Sequence, residues 1–109
     1  MTHLTTHILD ASIGLPAPGV VVSLARHGAD GTEAVAEGVT DADGRLALGP
    51  ELLTPGTYAL TFGTGAYFGH RGVETFYPLV TITFTVEGDR HLHVPLLLSP
   101  FAYSTYRGS

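Results

Sequence analysis

Between Val80 and Val86 the apolar residues Val80, Ile82, Phe84 and Val86 alternate with Thr81, Thr83 and Thr85, the period of a strand with one buried face. Tyr58, Leu60 and Phe62 repeat the alternation, as do Val20, Val22 and Leu24 after the Pro16-Ala-Pro-Gly19 break, so both segments are predicted strands. Thr40-Asp-Ala-Asp-Gly-Arg45 carries turn chemistry, with Asp side chains able to bond back to local amides and Gly44 free to take positive φ. The weaker runs 33–39 and 45–48 on either side of it are expected to pair with one another. In His91-Leu-His-Val-Pro-Leu-Leu-Leu98, alternation puts Leu92, Val94, Leu96 and Leu98 on a core face and His91, His93, Pro95 and Leu97 on the other. The same reasoning sends Leu4 and Ile8 inward and groups His3, Thr5 and His7 on the opposite face. Helix is expected only as one short turn within 65–72. Strands recur every dozen or so residues with turn signals between them, and no linker or internal repeat interrupts residues 1–109. The pattern predicts one all-β domain, an antiparallel sandwich or barrel.

Composition supports that class and narrows the function. Hydrophobic residues make up 44% of the chain and charged residues only 14%, so a packed core is affordable and disorder is excluded. Fourteen Gly and seven Pro break the chain too often for long helices. With no Cys there is no disulfide framework, thiolate zinc site, iron–sulfur cluster or cysteine nucleophile. A net charge of −5, with five scattered Arg and no Lys, offers no basic patch for nucleic acid. The N-terminal residues form neither a basic region nor an apolar signal segment, and no run approaches a membrane span. A cytoplasmic protein that binds neither nucleic acid nor membrane is expected.

The histidines are the candidate chemistry. Each by itself reads as an exposed polar residue, yet His91-Leu-His93 on one strand and His3, Thr5 and His7 on another place several imidazoles on non-core surfaces. An alternating His-x-His with a third His is one way to hold zinc, but this spacing is far less specific than a thiolate set. Calcium does not fit the Asp-Gly turn: aligning Gly44 with the EF-hand glycine puts Val39 at the first ligand position and Pro50 at the last. The C-terminal stretch is unusual for a chain end, which commonly frays and turns polar. It carries Phe101, Tyr103 and Tyr106, and finishes in Arg107-Gly-Ser109. An edge strand with an ordered tail and a tail buried in a subunit interface or pocket are both compatible with it.

Leu4-Thr-Thr-His-Ile-Leu-Asp10, Gly14-Leu-Pro-Ala-Pro-Gly19, the Thr40–Arg45 turn, and His91-Leu-His-Val-Pro-Leu-Leu-Leu-Ser-Pro100 ending in Tyr106-Arg-Gly-Ser109 together resemble the 5-hydroxyisourate hydrolases. These are the transthyretin-related enzymes of urate breakdown. The match runs in order over essentially the whole chain, and the Tyr-Arg-Gly-Ser ending separates the hydrolases from the hormone carriers of the same fold. The resemblance implies a transthyretin-like sandwich of two four-stranded sheets with one short helix, assembled as a homotetramer with active sites between dimers. It places the functional residues at His7, Arg45, His93 and Ser109, with Tyr106 and Arg107 joining Arg45 and Ser109 in substrate binding. His91 is supporting, and His3, His27 and His70 match no motif position.

The implied reaction opens the six-membered ring of 5-hydroxyisourate by water addition across a carbonyl–nitrogen bond, which requires a proton acceptor, an oxyanion partner and a proton donor. His7 and His93 suit the acid and base roles, in an order the sequence leaves open. Arg45 suits an oxygen-rich, partly anionic ligand. Ser109 orients water or substrate through its hydroxyl or a terminal carboxylate. No cofactor or metal is implied, and no nucleophile-elbow motif surrounds any serine. A non-catalytic small-ligand carrier is the alternative, against which the polar His, Arg and Ser set argues.

Overall fold

The computed structural model describes residues 2–109. Its strands are β1 (Leu4–Asp10), β2 (Leu15–Pro16), β3 (Val21–Gly28), β4 (Gly31–Val39), β5 (Arg45–Leu48), β6 (Gly56–Phe62), β7 (Val80–Val86), β8 (Leu92–Ser99) and β9 (Ala102–Thr105). The helix α1 (Thr64–His70) follows β6. One sheet has the order β4-β3-β6-β7; the other runs β2-β1-β8-β9, with β5 also on β1. This second sheet has five strands where the resemblance implies four. The extra strand does not widen it, because β5 pairs with residues 4–7 of β1 and the two-residue β2 with Leu9 and Asp10, both antiparallel along one edge.

The alternation read in the sequence fills the space between the sheets. Leu4, Ile8, Val22, Leu24, Tyr58, Leu60, Phe62, Val80, Val86, Leu96 and Leu98 are all buried in one hydrophobic cluster, and apolar burial of this kind is the main stabilising contribution in a small sandwich. Two further inward positions of β1 are polar and satisfied. Thr6 donates its hydroxyl to the Val94 carbonyl at 2.6 Å, and the Asp10 carboxylate accepts from the Tyr67 hydroxyl at 2.8 Å and from Ser12.

Three expectations change. First, not every ladder is antiparallel: β1 and β8 run parallel, in register from Leu4↔Leu92 to Asp10↔Leu98, a pairing between segments far apart in the chain that local turn signals cannot reveal. Second, 33–39 and 45–48 are both strands but not partners, since β4 pairs with β3 in one sheet and β5 with β1 in the other. The Thr40–Arg45 turn closes as its chemistry dictates, with Asp41 Oδ1 accepting from the amides of Asp43 and Arg45 at 2.9 Å each. It then carries the chain across the sandwich. Gly44, at φ +73°, stands where a Cβ would collide with the Ile8 carbonyl, so the turn seats on β1. Third, His3 does not share an open face with Thr5 and His7. It precedes β1, is buried, accepts from the Leu53 amide at Nδ1 and donates from Nε2 to the Arg90 carbonyl, each at 2.9 Å.

Candidate active site

Register assembles the site. The outward residues of β1 are Thr5, His7 and Leu9; the parallel ladder sets Thr5 beside His93 and His7 beside Pro95, while the antiparallel ladder sets His7 beside Arg45 and Thr5 beside Ala47. Side chains at paired positions share one face of a sheet, so His7, Arg45 and His93 come together from β1, β5 and β8. The chain end completes the group. After β9 the tail folds back along β8, and the Gly108 amide donates to the His93 carbonyl at 2.8 Å. A Cβ on Gly108 would press into the His93 ring, so only glycine lets the tail lie this close and deliver Ser109 to the same face.

A cleft of about 580 Å³ opens here, with Thr5, Asp41, Arg45, His91, His93 and Ser109 in its lining, a size suited to a small molecule. His7 stands at its margin. Its Nε2 donates to the Asp43 carbonyl at 2.9 Å, and because a carbonyl only accepts, the neutral ring keeps its lone pair at Nδ1. Asp41 anchors the backbone of Arg45. Thr5 Oγ1 lies 2.8 Å from His93 Nδ1 and 3.0 Å from His91 Nε2. The His93 pKa is pushed below the usual imidazole value, chiefly by burial and then by the positive fields of His7, Arg45 and His91. The shift lets His93 remain neutral, and able to take a proton, to lower pH than an ordinary imidazole.

Of the residues singled out in the sequence, Arg45, His93 and Ser109 line the cleft and His7 borders it. Tyr106 and Arg107 lie elsewhere, lining a second cavity of about 310 Å³ with Ile82, Phe84 and His93. His27, on β3, and His70, at the end of α1, belong to other parts of the molecule. Sequence reasoning gave no role to Thr5, and to Asp41 only the closing of the turn. Thr5 was visible on the His7 face by alternation, but its place between two histidines required the parallel ladder. Among the described residues no three His, Cys, Asp or Glu side chains converge as a metal-binding group. No helix among them is long and apolar enough to cross a membrane.

Comparison with known proteins identifies the family. A 5-hydroxyisourate hydrolase from Caulobacter vibrioides is 48% identical over 115 residues, covering the whole of both chains. The structure of Klebsiella pneumoniae 5-hydroxyisourate hydrolase superposes with a TM-score of 0.88 at 45% identity, covering 100% of this chain and 94% of that one. Transthyretin from Sparus aurata superposes with a TM-score of 0.91 at 34% identity, covering 99% of this chain and 97% of its own. The model of the HIUase/Transthyretin family matches residues 4–108, and the chain belongs to that family.

Proposed function

We propose that the cleft hydrolyses 5-hydroxyisourate, opening its six-membered ring to give 2-oxo-4-hydroxy-4-carboxy-5-ureidoimidazoline. The observation that carries this reading is the convergence of His7, Arg45, His93 and Ser109 on one face of the β1–β5–β8 sheet, in a chain similar along its whole length to hydrolases of that substrate. The sandwich alone would not decide between hydrolase and carrier, since transthyretin shares it. The polar lining favours the hydrolase.

His93, whose surroundings disfavour its charged form, is the general base that takes a proton from the attacking water. Arg45 offers a planar, permanently charged fork to the substrate oxygens and to the oxyanion that develops on the attacked carbonyl. His7 takes up a proton from solvent at Nδ1, opposite the Nε2–H held by the Asp43 carbonyl, and gives it to the leaving nitrogen, while the proton taken by His93 passes to solvent. Ser109 orients water or substrate, and Tyr106 and Arg107, on the second cavity that shares His93 with the cleft, hold the tail in place and bind substrate only where it reaches past His93. These steps need no metal.

The same reading makes the protein a homotetramer with its sites between dimers. Phe101 in the turn after β8, Tyr103 on β9 and Tyr106 in the tail stand at 65%, 40% and 59% exposure, more apolar surface than a solvated edge ordinarily carries. Light scattering on purified protein tests the assembly, and a monomer at assay concentrations would overturn it. The activity is tested by adding the protein to freshly generated 5-hydroxyisourate and following its ultraviolet absorbance. Decay well above the spontaneous rate is expected, and decay at the spontaneous rate would refute the assignment. His7→Ala, Arg45→Ala and His93→Ala should each lower kcat/KM by about two orders of magnitude.

A further inference from the structure

Among the described residues, Thr5 is the one side chain within hydrogen-bond distance of both His91 and His93, and it reaches them through a single atom. Its Oγ1 lies 3.0 Å from His91 Nε2 and 2.8 Å from His93 Nδ1. A hydroxyl has one proton to donate, so it donates to one ring and accepts from the other. In one ordering His93 Nδ1–H donates to Thr5 and Thr5 donates to His91, leaving the His93 lone pair at Nε2. In the other His91 Nε2–H donates to Thr5 and Thr5 donates to His93 Nδ1, leaving the His93 proton at Nε2. His93 Nε2 has no partner among the described residues and is the nitrogen free to meet a ligand. The two orderings therefore make it a base or an acid.

From this geometry we infer that Thr5 and His91 are positioning residues that set which nitrogen of His93 carries the proton, and that they conduct its proton to solvent. The inference rests on the proposed role of His93 in hydrolysis. When His93 accepts a proton at Nε2, its Nδ1 proton passes to the Thr5 oxygen while the Thr5 proton moves to His91 Nε2. One proton enters and one leaves, so His93 returns to neutrality in the opposite tautomer, now able to donate from Nε2. His91 is exposed and releases the proton to water. Charging His91 fixes its Nε2 as a donor, so Thr5 must turn its hydrogen toward His93. Burial and the positive neighbours named above disfavour a charged His93, which gives the proton a reason to move on.

Other charges also face this group: His7 on β1, Arg45 on β5, Asp41 in the turn before it, and Arg107 in the tail. Their fields alter the basicity of His93 whether or not Thr5 is present. Only the hydroxyl links the tautomer of His93 to the charge of His91, and the test must read the tautomer.

The experiment is nitrogen-15 NMR of the His93 ring across the titration of His91, in wild type, Thr5→Val and Thr5→Ser, with amide spectra and thermal melts to confirm the fold. In wild type and Thr5→Ser, the proton on neutral His93 should move from Nδ1 to Nε2 as His91 becomes charged. In Thr5→Val the tautomer ratio should stay constant while the His93 pKa still responds to the neighbouring charges. Thr5→Val should also lower kcat/KM by about tenfold or more, with Thr5→Ser restoring most of it and the acid limb of the pH profile moving in the valine variant alone. A wild-type tautomer that ignores His91, or one that still follows it in folded Thr5→Val, would overturn the inference. If wild type shows the coupling but does not hydrolyse 5-hydroxyisourate, the coupling stands and the assigned reaction falls.

Discussion

At the scale of single residues, His93 and His3 show how differently two imidazoles are used. His93 is half-buried beside three positive or potentially positive groups. Arg45→Gln removes one of those fields, so the His93 pKa should rise toward its ordinary value. A base with a higher pKa is protonated at higher pH, so the acid limb of activity should shift upward. Titration of the His93 ring by NMR checks the sign, and a downward shift would contradict the electrostatic account. His3 takes no part in the cleft, but it satisfies a buried amide at Leu53 and the carbonyl of Arg90, which directly precedes His91. The sequence reads His3 as a silent surface position. Its burial makes His3→Ala destabilising by about 2 kcal/mol or more, from the amide left without an acceptor and the packing lost. Urea unfolding measures it, whereas His27→Ala, on an exposed residue, should change neither stability nor activity.

At the scale of elements, two contacts hold pieces that pattern alone could not join. Tyr67 on α1 donates its hydroxyl to the buried Asp10 carboxylate at the end of β1, and Arg71 stacks over the Tyr67 ring at 5.7 Å. Burial first, and then the bond to Asp10, push the Tyr67 pKa up to about 12 from 10.0. A raised folded-state pKa contributes stability below the unfolded value and loses it as pH rises through the folded one. Wild type should therefore lose this contribution between about pH 10 and about 12, and Tyr67→Phe should flatten the stability curve there. At neutral pH the same variant should cost about 1–3 kcal/mol, because Asp10 keeps its burial and loses a donor. The second contact is the tail on β8. Gly108→Ala should dislodge the tail or turn the His93 ring, lowering kcat/KM by at least tenfold while the melting temperature stays near wild type, because Gly108 lies outside the hydrophobic cluster. Wild-type activity in Gly108→Ala would show that the close approach is unnecessary.

At the scale of the molecule, the cleft is built from the first strand, a mid-chain turn and the last residues, so distant changes in the chain act on one place. A tag fused after Ser109 puts bulk where the tail lines the cleft, and deletion of Arg107–Ser109 removes part of two cavity walls. Both should abolish hydrolysis of 5-hydroxyisourate. Neither should unfold the sandwich, whose buried cluster ends at Leu98. A tag before Met1 should be milder. Absorbance assays beside circular dichroism separate the two effects, and a truncated protein with wild-type turnover would remove the tail from the site.

The alternation of β1, β3, β6, β7 and β8, the short helix and the Asp41 turn were all legible in the chain, because side-chain period and turn chemistry are local properties. The facing of His7 and His93 away from the core followed from the same periodicity, and the family resemblance named Arg45 and Ser109. Partnership was not legible. Neither the parallel pairing of β1 with β8 nor the split of β4 and β5 between sheets is written in either segment, since each depends on which distant strand completes the burial of a shared core. The same holds for His3, whose alternation matched an open face until Leu53 and Arg90 closed over it. Thr5 gained its place between two imidazoles only from a register set some ninety residues away. Local sequence determined which faces these residues present, and the tertiary fold decided which of them meet.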